Sequence, residues 1–542
     1  MIKKFRYPKK LISPTTKPSP SEEPSPPEEK KKDDNQSINK NLEKNLKTLK
    51  QIFGKSDDIK YREFEVHEQT TNKMFICFLD GLVDEEFLNM HILKSLLEPN
   101  FQKMTSESPD GDFLVTVKKR ILSTLNIKEV RDMDSVVDSV LVGETVIFLD
   151  GYDTTLVVST QGFEARGVEE PDTESTVRGP REGFNEVLKV NTALIRRKII
   201  NPNLIFENMQ MGKQTKTVIR IAYIEDIANP KIVEEVKMRL SKIDTDAILE
   251  SGYIEQFIED HPYSIFPTIA NSEKPDKVAA KILEGRVAIL CDGTPFVLTV
   301  PHLLVEAFQV GEDYYSRPFL SSFIRLLRIL ALVLSVLTPA LYVALTTYHQ
   351  EMVPALLLTT MAAAEEKVPF PAFIEALVLG IVFEILREAG VRMPRPVGSA
   401  ISIVGALVLG EAAVQAGLVS APLVIVVALT GMSGFVVTAL NDSIILSRLF
   451  LLLLAGVLGL YGVLMGALML LGHMCSLRSF GTPFLAPQAP INWSGWKDSI
   501  VRFPLWLQST RPQVVTWKNN DRREGKHNKP ESSRGFEGDE RT

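Results

Sequence analysis

The sequence predicts a two-part protein: an α/β or α+β soluble region of two subdomains, then a helical membrane bundle of four to five segments. Three observations lead there. Apolar stretches follow one another at about Ile329–Thr347, Phe373–Leu386, Ala400–Ala416, Leu418–Leu440 and Phe450–Met474. Crossing the hydrocarbon core of roughly 30 Å takes about 20 predominantly apolar residues, which the first, fourth and fifth stretches supply and the third nearly does. More than 300 residues of mixed composition precede them, and in that part short strand and helix signals alternate.

Residues 1–40 hold Pro14, Pro18, Pro20, Pro24, Pro26 and Pro27 and a charged run from Glu28 to Asp34. So little apolar surface cannot offset chain entropy, and the segment reads as disordered. The basic N-terminus is followed by no apolar run, so no signal peptide is expected and the soluble half is expected in the cytoplasm. A first subdomain is assigned to 41–170. It opens with a helix over Asn39–Phe53, where Leu42, Leu46 and Leu49 recur at helical spacing. A second covers 171–318, with helices over Phe184–Ile199 and Pro230–Ile243 and a strand over Thr217–Ile224. Asp80-Gly81 closes an apolar strand, and Asp150-Gly151 and Asp292-Gly293 each join two apolar runs as hairpin turns. Glycine takes the positive φ such turns need, so these aspartates are turn residues rather than catalytic carboxylates.

In the membrane domain, 319–476, Arg325 and Arg328 stand at the start of the first stretch and Arg387, Arg392 and Arg395 after the second. The loop between carries Glu351, Glu365, Glu366 and Lys367. Positive residues gather on the cytoplasmic side, so the first two stretches go out and return. A basic tail asks for an even number of spans, whereas five stretches are counted. The fourth, interrupted at Gly431-Met-Ser-Gly434, is the preferred exception. Ionisable groups inside apolar segments mark a cavity, a pore or a partner. Those groups are Glu375, Glu384 and Glu411, with Asn441 and Asp442 at the end of the fourth stretch. Glu384 has Arg387 one turn on, whereas Glu411 has no local partner. Glu375, Glu411, Asn441 and Asp442 are therefore the ion-path candidates. The region 477–518 contains all four tryptophans and is expected along the lipid headgroups; 519–542 is expected to be disordered.

A net charge of −6 with no basic aromatic stripe argues against nucleic-acid binding. Cys77, Cys291 and Cys475 form no CxxC pair, and the seven histidines show no ligand spacing. No phosphate-loop, dinucleotide, nucleophile-elbow or HExxH motif occurs. Neither an enzyme nor a metal or cofactor is expected. The densest unusual constellation is Arg178, Arg181, Glu182 and Asn185, followed by Asn191, Arg196, Arg197 and Lys198. Its arginines suit an anion or a neighbouring subunit, and a solvated loop with local ion pairs accounts for them equally well.

RGPREGFNEVLKVNTALIRRKI (178–199) resembles the signature of the GerA family, the A subunits of spore germination receptors. So do QTKTVIRIAYIEDIANP (214–230), LEGRVAILCDGTPFVLTVP (283–301), GEDYYSRP (311–318), MPRPVGSAISIVGALVLGEAAVQAGLVS (393–420) and GTPFLAPQAP (481–490). The resemblance runs from about residue 60 to 510. It implies a subunit of a nutrient-sensing complex in the inner membrane of endospores, partnered by a transporter-like B subunit and a lipoprotein C subunit. It further implies a homo-oligomeric ring acting as a germinant-gated cation channel, with two α/β subdomains on the cytoplasmic side. On this reading Arg178, Arg181, Glu182 and Asn185 are subunit-contact or gating candidates. A non-conducting scaffold and a transporter-like nutrient sensor are the alternatives.

Overall fold

The computed structural model describes residues 37–66, 72–97, 113–122, 127–162, 171, 174, 176–392, 410–493, 495–512, 514–516 and 521–522. Most of both expected disordered ends, much of the third apolar stretch, Arg395 and Trp517 lie outside them.

Two five-stranded sheets form the soluble region. The first contains β1 (Ile59–Val66), β2 (Asn72–Leu79), β3 (Ile127–Val130), β4 (Thr145–Leu149) and β5 (Thr155–Val158) in the order β1-β2-β4-β5-β3. The second contains β6 (Leu204–Met211), β7 (Thr217–Ile224), β8 (Ala270–Ser272), β9 (Val287–Cys291) and β10 (Val297–Val300) in the order β6-β7-β9-β10-β8. Every pairing is antiparallel, which decides for α+β. Helices cover both faces, so β4 and β9 are buried throughout and read as continuous apolar runs.

The two sheets share one topology, and the match extends to single bonds. In the first subdomain Asn39 N donates to Asn45 Oδ1 (2.9 Å) and Asn45 Nδ2 to Asn39 O (2.5 Å). In the second, Asn185 and Asn191 make the same pair at 2.9 and 2.6 Å. Leu42 N, at the start of the helix Leu42–Ile52, donates to Asp150 Oδ1 (3.2 Å). Leu188 N, at the start of the helix Leu188–Lys198, donates to Asp292 Oδ1 (3.1 Å). The hairpin aspartates thus do two jobs: they make the turn and they satisfy an otherwise orphaned helix N–H.

The helix Leu188–Lys198 also docks the subdomains. Arg196 is fully buried; its Nε and Nη2 reach the Asp58 carboxylate at 2.9 and 3.1 Å, and further donors take Asn201 O, Leu204 O and Ser56 Oγ. Its plane lies over the Phe206 ring. A buried pair in which each guanidinium nitrogen has an acceptor holds geometry, and its removal from one side leaves an uncompensated charge.

The bundle begins with the 30-residue helix Pro318–Thr347. Helices Ala355–Glu365, Ala372–Arg392 and Ala421–Gly434 follow, then the stretch Asn441–Ser476. The helix Ala355–Glu365, inside the expected outer loop, was not foreseen. The fourth apolar stretch does break at Gly434, and its helix of 14 residues, about 21 Å long, is shorter than a span.

By length and hydropathy the stretch Thr438–Ser476 passes for one long span, as does Pro318–Thr347. Gly459, at φ 60° and ψ −142°, makes the former two helices instead. Gly462 lies against the Leu454 carbonyl, and Gly466 against Leu451 and Leu454. In a straight helix Leu454 and Gly462 would stand about 12 Å apart. Both ends return to one soluble loop, Ser443 Oγ donating to Ile265 O (2.5 Å) and Ser264 Oγ meeting His473 Nε2 (3.0 Å). The fifth apolar stretch is therefore an antiparallel hairpin with arms 441–458 and 460–476, each about 25–27 Å long.

The ends of the described helices sort to two sides. Tyr348, at the far end of the first helix, packs on Gly459 and donates to Gly456 O (2.7 Å). Phe373 packs on Gly456 at that same end, while Arg387 reaches Asn441 at the soluble end. The helix Ala421–Gly434 starts at the far end, where Ser420 N meets Glu375, and the chain after it reaches Val437 and Leu440 beside Phe308. Both hairpin arms then follow, and the tail leaves from the soluble side. Sided thiol labelling tests the hairpin. Cys475 is exposed and should react from the side carrying the soluble region, whereas Tyr461→Cys should react only from the opposite side. Labelling of both from one side refutes the turn.

The interdomain pair gives a second expectation. Asp58→Ala should cost about 3–5 kcal/mol in denaturant unfolding of the soluble region, with Asp58→Leu/Arg196→Met recovering most of it. A loss under 1 kcal/mol in the single variant refutes the docking role.

Candidate functional site

A buried ionic network joins the soluble region to the bundle beside the apolar and polar contacts already described. Asp313 sits in the short helix Glu312–Tyr315, just before Pro318 opens the first membrane helix. Arg325 and Arg328, three residues apart and so on one helix face, both point back at it. Arg325 Nε lies 3.2 Å from Asp313 Oδ2, and Arg328 Nη1 lies 2.9 and 2.8 Å from the two carboxylate oxygens. Arg328 also donates to Phe308 O (2.9 Å).

The C-terminal tail completes the network. Arg325 Nη1 donates to Asp498 O (2.7 Å), Asp498 Oδ1 (3.2 Å) and Ser499 O (3.0 Å), and Tyr314 OH donates to Asp498 Oδ2 (2.8 Å). Arg502 reaches back to Ser316 O (2.8 Å) and Tyr314 O (3.3 Å). Arg325 has no exposed surface. Burial pushes the Asp498 carboxyl up, only partly opposed by the Arg325 charge, and pushes the Tyr314 phenol well up, with Asp498 adding to it. The soluble region, the first helix of the bundle and the tail are thus joined at one point.

A second buried cluster supports the segment leading to Asp313. Glu306 Oε1 accepts from Arg286 Nη2 (2.8 Å) and Leu303 N (2.8 Å), while Lys281 Nζ and His302 Nδ1 stand 3.0 and 3.4 Å from Oε2 as ion-pair partners. Burial raises its carboxyl, but Arg286, Lys281 and His302 outweigh that and hold it well below the usual carboxylate range.

Of the four loop candidates, Arg178 and Arg181 are exposed. Glu182 pairs within its own subdomain, with Arg197 (3.4 Å) and Lys198 (3.3 Å). Asn185 is spent on its pair with Asn191 and on Val187 N, as Asn39 is in the first subdomain.

In the bundle, Glu375 is buried against Ser420 N, and its Oε2 accepts no hydrogen bond. Glu384 pairs with Arg387 (2.8 Å), as its spacing suggested, and also with Arg448, which sequence spacing could not reveal. Glu411 is exposed and accepts from Gln415 Nε2 (3.1 Å). Asn441 accepts from Arg387 Nη1 (2.5 Å), and Asp442 is exposed at the soluble end. The four ion-path candidates do not meet in one place. Among the described residues no three His, Cys, Asp or Glu side chains are grouped to hold a metal. Sequence reasoning missed Asp313 and Asp498; the only signal was the pair of arginines, read as topology markers alone.

A family model described as Bacillus/Clostridium GerA spore germination protein matches residues 47–514. The chain belongs to this family. Its relatives agree: spore germination protein KA of Bacillus subtilis (strain 168) is 46% identical over 503 residues, 92% of this chain and 91% of that one. Spore germination protein GerLA of Bacillus cereus is 37% identical over 482 residues, 89% and 96% of the two chains. A solved structure, the N-terminal domain of the A subunit of the Bacillus megaterium spore germinant receptor GerK3, is similar at 36% identity with a TM-score of 0.40. It covers 49% of this chain and 97% of that one. The match with the GerA family takes in both subdomains, the bundle and the tail up to Val514, and so includes Asp313, Arg325 and Asp498.

The Glu306 cluster predicts an acid limb. Its folded-state pKa is depressed, so the stability it contributes is complete above the usual carboxylate range and lost as pH falls through the folded value. Glu306→Gln should lower stability at neutral pH and flatten the fall between about pH 5 and the acid end. Unfolding curves against pH that run parallel in both proteins refute this.

Proposed function

We propose that the chain is the A-type subunit of a nutrient germinant receptor in the spore inner membrane, its soluble region in the cytoplasm, and that it lines a germinant-gated cation path. It works with a transporter-like B subunit, a lipoprotein C subunit and further copies of itself in a ring. Germinant taken up elsewhere in the complex shifts a closed–open equilibrium, and monovalent cations leave the core.

The observation that carries the reading is the Asp313–Arg325–Arg328–Asp498 network, because it ties soluble region, first membrane helix and tail into one moving part. Magnitudes support gating by displacement rather than by rupture. Moving an equilibrium from 1:99 to 99:1 takes about 5.5 kcal/mol of differential binding. Breaking one buried pair alone consumes about 3–5 kcal/mol of that. The network therefore stays closed and transmits. Exposed Glu411 and Asp442 favour a water-lined or subunit-lined surface, since lipid solvates neither. Glu375 supplies an acceptor not yet used inside the bundle. Arg178 and Arg181 remain the subunit-contact candidates, on the strength of their exposure.

Potassium release from liposomes carrying the chain with its B and C partners tests this. Nutrient should trigger release in the native complex, Glu375→Gln or Glu411→Gln should change its rate or selectivity, and Asp498→Asn should uncouple release from nutrient. An intact complex that never conducts points to the scaffold instead.

A further inference from the structure

A cavity of about 480 Å³ opens where the helix Pro275–Leu283, the segment leading to Tyr315 and the tail come together. Its size suits a small molecule. None of the ion-path candidates lines it.

Its chemistry is unusual for a gap between packed elements. Five cationic side chains line it: Lys277, Lys281, Arg286, Arg511 and Arg522. Three carboxylates face them, those of Asp276, Glu284 and Glu306. Glu174, from outside the lining, adds a fourth by pairing with Lys277 (2.5 Å). Asp521, whose charge acts on Arg511, adds a fifth and balances the five cations, so an anion would be held by the adjacent guanidiniums of Arg511 and Arg522 rather than by a net positive charge.

The cations are also built in. Lys281 and Arg286 are buried and fixed by Glu306. Arg522 is aimed by Glu284 (2.9 Å), and Arg511 by the carbonyls of Leu283 (3.0 Å) and Asp521 (2.6 Å). Burial and the neighbouring Arg522 charge both depress the Arg511 pKa, as expected of two guanidiniums forced together.

One acceptor faces the other way. Asp276 Oδ2 is taken by Tyr315 OH (2.7 Å), while Oδ1 is buried and receives no hydrogen bond. A buried acceptor left open costs free energy unless a donor is supplied.

We propose that this cavity binds a small hydroxyl-bearing anion, its carboxylate or phosphate between Arg511 and Arg522 and its hydroxyl donating to Asp276. The occupant joins the second subdomain to the tail. Tyr314 also lines the cavity and bonds Asp498, so the ligand sits one residue from the network that reaches the membrane helix. Binding there favours whichever arrangement keeps tail and subdomain together.

Calorimetric titration of the full chain in detergent with citrate and with glycerol 3-phosphate, at fixed ionic strength, tests the assignment. Glycerol is the neutral control. At least one anion should bind saturably and raise Tm, and glycerol should not. Citrate alone identifies the carboxylate as the recognised group, glycerol 3-phosphate alone the phosphate. Arg522→Gln should weaken binding at least ten-fold, and Lys277→Gln, at the half-exposed rim, several-fold. No saturable binding of either anion to a cooperatively melting chain overturns the proposal. So does unchanged affinity in Arg522→Gln or, should that variant fail to fold, in Lys277→Gln. No germination partner is required, so failure here leaves the gating reading standing on its own test.

Discussion

Arg325 is a guanidinium with no exposed surface, at the point where the soluble region gives way to the apolar helices. Taking such a charge out of water costs several kcal/mol even after relaxation. The protein offsets this with two carboxylates and two backbone carbonyls drawn from separate parts of the chain. Any arrangement that parts the tail from the junction, or the junction from the helix, leaves that charge with one carboxylate instead of two. The network and the apolar packing around Phe308, Val437 and Leu440 together hold the three parts at this junction.

The soluble region is governed by a different economy. It repeats one subdomain, with the same strand order, the same asparagine pair and the same hairpin aspartate on the first helix. Recurrence shows which features the fold itself needs. Asn185 looked like a member of a functional constellation in the sequence. Its counterpart Asn39 identifies that bond set as architecture. Arg196 belongs to the second subdomain's helix yet closes on Asp58 of the first, so the repeat units are welded rather than strung.

Much of this was legible in the sequence. Strand hairpins at Asp150-Gly151 and Asp292-Gly293, the helices near 42–52, 188–198 and 230–241, and the break at Gly434 follow from turn chemistry and spacing, which are local. The duplication was not, because strands such as β1, with Lys60, Arg62, Glu63 and Glu65, carry little apolar signal to set beside β6. The hairpin at Gly459 hid inside an apolar run whose hydropathy does not register a reversal. The glycines at 456, 459, 462 and 466 were its only trace. At the junction Arg325 and Arg328 were legible as charges, but their partners, Asp313 and Asp498, are chosen by tertiary contact across 12 and 173 residues.

That last separation has a consequence for biosynthesis. Asp498 leaves the ribosome 173 residues after Arg325, about 10–35 s later at common elongation rates. Once Thr347 has been made, both subdomains and the first long helix are complete, with Asp313 alone to balance two arginines. The final carboxylate comes only after the Gly459 hairpin has been synthesised and has turned the chain back to the soluble side. Completion of the junction thus waits on the last turn of the bundle, and a nascent chain that failed to turn at Gly459 would carry Asp498 away from Arg325.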